Sequence, residues 1–182
     1  MDIYLRHLSL TTSRYTSLYL RIALAAAFLT SVTDRFGIWG RPGTMNVAWG
    51  DMAHFMAYAA KLNPWFPIKV IPVVAWFVTV AETVLALALL LGFHTRVSAQ
   101  LSGWLLLAFA IGMTAGTGIK SALNASVFSA SAGAFLLATS VEYPLSFDSL
   151  RRREKRDAAL NACTSSQAKN RCLTSVVPHP RH

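Results

Sequence analysis

Glu82 is the one ionisable residue inside KVIPVVAWFVTVAETVLALALLLG, the run from Lys69 to Gly92. A carboxyl group in an apolar helix stays ionised only beside a cation and hydrogen-bond donors; otherwise it holds its proton. Two chemistries therefore stand open for it: a charge pair that locks helices together, or a ligand or proton site. Depth selects its neighbours. If the helix ends near Leu91, Glu82 lies roughly 14 Å along the axis from that end. Arg21, in the preceding apolar run, enters from the same side to roughly 9 Å, and Gln100 stands near the start of the following run. The expected arrangement is a three-helix convergence in which Arg21 is the counter-charge. Gln100, or a hydroxyl from Thr79 or Thr83, completes the hydrogen bonds.

A second constellation lies between these runs. Asn46 is placed to cap a helix from Val47 to Leu62, on which Asp51, His54, Tyr58 and Lys61 recur at helical spacing as one polar stripe. Trp49, Met52, Phe55, Met56 and Ala59 form an apolar remainder, the pattern of an interfacial or partly re-entrant helix. Asn63-Pro64 ends it, with Trp65 and Phe66 at headgroup depth. The stripe reads as a solvated outer face or a partner contact. As a metal site it fails, because Asp-x-x-His alone supplies too few ligands.

Other chemistries are excluded by position. His7, His54, His94, His179 and His182 are all outside the middle of an apolar run, which argues against intrinsic haem. Cys163 and Cys172 form no C-x-x-C, and a reducing compartment leaves them without an essential role. There is no Gly-rich phosphate loop and no H-E-x-x-H. No catalytic residue, metal or intrinsic cofactor is assigned.

The elements that position Glu82 follow from composition. Of 182 residues, 54% are hydrophobic and 14% charged, where a soluble chain carries about 25% charge. Four runs are long enough to cross a bilayer: Tyr15 to Phe36, Ile68 to Leu91, Thr95 to Ala115 and Lys120 to Val141. Hydrocarbon admits only structures that satisfy their own backbone groups, and these runs are too long for barrel strands. The expected fold is all-α: a polytopic four-transmembrane-helix bundle with a short interfacial helix between the first two spans. The fourth run begins with Ser121, Asn124, Ser126, Ser129 and Ser131, so a buried or partly re-entrant helix is its alternative. Gly112 and Gly116 permit close helix approach, within the bundle or in a homodimer.

The expected organisation is a cytoplasmic segment 1–14, a membrane domain 15–142 and a basic, partly disordered tail 143–182. Arg6, Arg14, Arg21, Arg96 and the RRREKR block from Arg151 would share one side, while Arg35, Arg41, Lys61, Lys69 and Lys120 on the other are diluted by Asp34 and Asp51. That bias places both termini in the cytoplasm. The formal charge of +9 is then a membrane signal that suits anionic headgroups, and nucleic acid is not expected as a partner. The first run is longer than the apolar core of a cleavable signal and is read as retained.

With these residues in place the chain resembles the DoxX family of small four-helix membrane proteins. The likeness rests on LRIALAAAFL around Arg21, on AETVLALALLLGFHTRVSA from Ala81 to Ala99, and on the span lengths from Tyr19 to Val141. The resemblance implies a multi-pass protein of a bacterial inner membrane, related to the small membrane subunit of thiosulfate:quinone oxidoreductase. It implies a redox pathway with a partner protein that carries the electrons, and quinone as ligand. Glu82 and Arg21 would be the family's buried polar pair, and Arg96 the basic residue that opens the third span. Where relatives often carry Gly-x-x-Lys after the first span, this chain has Asp34, Arg35 and Gly37. Two non-redox expectations stand beside it: a scaffold or assembly protein, and a small carrier of a lipid or weak acid with Glu82 as proton site.

Overall fold

The computed structural model describes residues 2–140, 143–148, 154 and 158, with side chains from Arg14 onward. The RRREKR block and both cysteines lie outside the described residues, apart from Glu154. The chain is an all-α, multi-spanning membrane bundle. Helix α1 runs Asp2–Arg35, α2 Met52–Leu62, α3 Ile71–Leu91 after a 3₁₀ turn at Ile68–Val70, α4 Thr95–Thr117, α5 Ile119–Asn124 and α6 Val127–Thr139. Among the described residues, three segments are long and apolar enough to cross a membrane: Arg14–Arg35, Ile68–Leu91 and Thr95–Thr117.

Each span buries one stripe and turns the rest outward. On α3 the buried stripe is Ile71, Ala75, Thr79, Glu82, Leu85, Ala86 and Leu89, while Val73, Trp76, Phe77, Val80 and Val84 are exposed. That division is what a helix in lipid requires, with its polar groups kept on the protein side. Ser17, Arg21, Leu24, Ala25, Phe28, Val32 and Arg35 make the matching stripe on α1. The two helices pack antiparallel, since Arg21 reaches Leu89 and Arg35 reaches Thr79.

Gly92 closes α3 with φ 67 and ψ 39, a left-handed conformation natural to glycine. A Cβ there would also run into Ser146 and lie 2.5 Å from the Arg21 guanidinium. The end of the bundle carrying Gly92 is called here the turn face, and the end carrying residues 36–51 the loop face.

The fourth predicted span is broken. Ala125 closes α5, and Ser126 takes φ 54 before α6 begins. Asn124 and Ser126 compete with the helix for backbone hydrogen bonds, and Asn in particular tolerates turn geometry. The apolar part, α6, lies along α4 through small residues. The Ser131 hydroxyl donates to the Gly103 carbonyl at 2.9 Å, and Phe135 fills the space that a side chain at 103 would take.

Helix α2 starts later than Val47. Asp51 is its N-cap, with extended φ and ψ, whereas Asn46 sits in the loop at φ 65. Asp51 wins because its carboxylate accepts from the His54 backbone N–H at 2.8 Å, three residues on. Phe55, Ala59 and Leu62 are the buried face of α2, and they insert against the loop-face halves of α3 and α4. A Cβ on Gly116 would come within 2.5 Å of the Leu62 backbone, so Gly116 makes room for the end of α2, while a Cβ on Gly112 would only touch Asn63 and Leu62 at ordinary contact distance.

Candidate site at the buried arginine–glutamate pair

Glu82 is buried and paired, and its partner is Arg35. The Arg35 Nη2 lies 2.7 Å from Glu82 Oε2. The expected partner, Arg21, is engaged elsewhere: its Nε donates to the Leu89 carbonyl at 3.0 Å, Nη2 to Leu90 at 3.2 Å and Nη1 to Pro144 at 2.8 Å. Register explains the exchange. Arg21 stands level with the last turn of α3, about two turns or roughly 11 Å from Glu82. Arg35 ends α1 at the loop face, but a helical side chain leans toward its own N-terminus, so the guanidinium reaches back into the bundle. Its Nη2 also donates to Ser31 Oγ, one turn earlier, at 3.2 Å.

The remaining contacts of Arg35 come from three directions. Nη1 donates to Thr79 Oγ1 at 2.8 Å, and that hydroxyl in turn donates to the Ala75 carbonyl at 2.8 Å. The guanidinium carbon sits 3.7 Å over the Phe55 ring and 5.4 Å from Trp49, a cation–π position on α2 and the loop. Asp34 aims the loop: its Oδ2 accepts from the backbone N–H of Trp49 at 2.8 Å and of Ala48 at 3.1 Å. Neighbouring residues thus divide the work, Asp34 fixing the loop and Arg35 reaching inward.

The pair is not fully satisfied. Arg35 Nε has no hydrogen-bond partner, and Glu82 Oε2 meets the guanidinium at short distance but out of line for a hydrogen bond. Beside them opens a cavity of about 400 Å³, partly open to the exterior, with Ser31, Arg35, Tyr58 and Glu82 as its polar lining and Phe28, Trp49, Phe55 and Phe109 among its apolar walls. The break between α5 and α6 borders the same cavity through Ala125 and Val127. Chemically, this is an apolar chamber with a few convergent donors and acceptors, the usual make-up of a small-molecule site.

The other expected residues are scattered. Gln100 is exposed, because the buried stripe of α4 passes through Thr95, Ser98, Ala99, Ser102 and Gly103. The convergence of Glu82, Arg21 and Gln100 is therefore absent. Thr83 donates to its own helix at Thr79 O and does not serve Glu82. Arg96 is exposed in the first turn of α4. On α2 the stripe divides: His54 and Lys61 are exposed, Asp51 binds His54, and Tyr58 faces the cavity. The His54 backbone N–H, then its ring, hold the Asp51 carboxyl below its ordinary range. Among the described residues no three His, Cys, Asp or Glu side chains cluster as a metal site.

Arg21 belongs to a second polar cluster, at the turn face. The Asp148 carboxylate accepts from the N–H groups of Thr95 at 2.8 Å and His94 at 3.1 Å, capping α4 from a distance in sequence. Burial alone would push the Asp148 carboxyl up, but those N–H groups outweigh it and hold it below the ordinary value. The signal for Arg35 in the sequence was its place after Ser31 at one helical turn, beside a second charge, at the end of an otherwise apolar run.

No protein-family model, no curated protein and no solved structure matches the chain. These comparisons show no family for the chain; Arg35, one of the three residues with Asp34 and Gly37 that stand where a Gly-x-x-Lys was expected, supplies Glu82's partner.

Proposed function

We propose that this membrane protein binds a lipid-soluble ligand of the quinone class in the cavity beside Arg35 and Glu82. The observation that carries the reading is the meeting of that pair with a cavity of about 400 Å³ in an otherwise apolar bundle. Quinone carbonyls need donors, which Arg35, Tyr58 and Ser31 supply, and a flat ring suits walls of Trp49, Phe55 and Phe109. In this reading the chain is a membrane subunit or accessory protein of a redox pathway of the DoxX kind. A partner protein brings the electrons, and both termini face the cytoplasm of a bacterial inner membrane.

A second reading has its own support. Arg35 joins α1 to α3 through Thr79 and to α2 through Phe55, which is what a structural lock in a scaffold protein would do. The two separate on a paired substitution. Removing one member leaves a buried lone charge, but replacing both with apolar residues of similar volume is commonly neutral or stabilising. Arg35→Met/Glu82→Leu in nanodiscs should keep its thermal midpoint and lose equilibrium binding of a decyl-substituted benzoquinone by more than about tenfold. Retained binding sinks the quinone reading, and a collapsed fold establishes the lock. Glu82→Gln alone should weaken binding with membrane insertion unchanged.

A further inference from the structure

The cavity at Arg35 has an annex. A second pocket of about 230 Å³ lies between α2, α3 and α4, lined by Val74, Val78, Leu105, Ala108 and Gly112 with Asn63 at its rim. Phe55, Tyr58, Leu62 and Phe109 wall both spaces, so the two adjoin across a single layer of α2 and α4 side chains. Their chemistry differs sharply. The charged pair and Ser31 belong to the first alone, while the second is apolar apart from Asn63 and Tyr58. Its remaining walls come from positions on α3 and α4 whose helical neighbours face lipid: Trp76, Phe77, Val80, Leu101 and Trp104 are exposed.

We propose, building on the quinone reading, that the ligand carries a linear hydrocarbon chain. Its polar ring occupies the cavity at Arg35 and Glu82, and its chain runs through the annex between α3 and α4 to the lipid. A head with carbonyl oxygens finds the charged pair and Ser31 only in the first space, and a saturated or prenyl chain meets in the second a lining that is apolar apart from Tyr58 and from Asn63, whose amide donates to the Ala59 carbonyl. Helix α2 is the element that separates them, since Phe55 faces the guanidinium on one side and the annex on the other. The chain of the ligand thereby gains a protein wall in place of lipid, and the head gains a fixed orientation toward the pair.

The test fills the annex without touching the head site. Ala108 is exposed and lines only the second pocket, so Ala108→Phe adds bulk there with little risk to folding. Val78→Phe is the second variant, from the opposite wall. Equilibrium binding to nanodisc-embedded protein is measured for unsubstituted benzoquinone and for decyl-benzoquinone, comparing each variant with wild type for the same ligand so that partition into lipid cancels. The expected result is a loss of about tenfold for the decyl compound and no change for the unsubstituted ring. Equal affinity changes for both ligands, or none for either, would overturn the chain placement while leaving the quinone reading intact. Failure of wild type to bind either compound would remove both.

Discussion

Helix α1 buries two arginines about four turns apart, and their surroundings differ in kind. Arg21 gives each of its nitrogens to a backbone carbonyl, two at the end of α3 and one at Pro144. Leu89 and Leu90 stand in the last turn of α3, where helical C=O groups lack their usual partners, and the Leu89 carbonyl takes a second bond from the Gly92 N–H at 3.3 Å. Arg35 gives its nitrogens to a hydroxyl on its own helix, a threonine on α3 and a carboxylate met off-line, keeps Nε idle, and lies on an aromatic face beside a cavity. A cation held at all three nitrogens by backbone carbonyls is anchored to the framework and has little left to offer a ligand. One held by side chains and incompletely satisfied has more, and that contrast sets the turn face apart as framework and the loop face as the proposed site.

The contrast can be broken most forcefully at Arg21. Arg21→Met should strip partners from three carbonyls and cost about 3 kcal/mol, seen as a lowered thermal midpoint or a loss of folded yield, with quinone affinity per folded molecule unchanged. If instead affinity falls while the midpoint holds, the division between framework and site is wrong. Next in size, Arg35→Met/Glu82→Leu should show the opposite pattern, a binding loss with stability kept. The Ala108→Phe change should be smaller still, confined to the long-chain ligand.

The smallest effect belongs to Asp148. Its folded carboxyl is held below the ordinary 3.8, so its contribution is fully present above that value and disappears as pH falls through the lower, folded one. Asp148→Asn should therefore lower stability at neutral pH by about 1 kcal/mol, in line with loss of a helix cap. Thermal melts of both proteins should converge as pH drops below about 3.8. A difference that persists into acid would mean that packing rather than charge holds the 143–148 segment to the turn.

The large features were legible in the sequence because hydrophobicity and helical period encode them directly. The three long spans, the isolation of Glu82 and the turn at Gly92 all follow from residue types in order. The partner of Glu82 did not, because sequence depth counts Cα positions while Arg35 spans the difference with its own length and backward tilt. Charge bias alone made Arg35 an outer flanking residue. The break at Ser126 was visible only as a polar start to the fourth run, and Asp148 was hidden by distance along the chain, more than fifty residues from the N–H groups it caps. Tyr58 was expected on the same outer stripe as Asp51, His54 and Lys61 but lines the cavity, because one face of a helix bordered by a cavity does not look different in sequence from one bordered by water.

Gly112 and Gly116 leave a bare strip of backbone on α4, the kind of surface along which two membrane helices often meet. Here Lys61 and Leu62 of the same chain press on Gly116, and Leu62 and Asn63 lie over Gly112. A second copy seeking it would first have to lift away the end of α2, and with it Phe55 and Tyr58, which wall the chamber at Arg35. Self-association along that strip and an intact chamber are competing states of one surface, so any dimer that preserves the chamber must form through another side of the bundle.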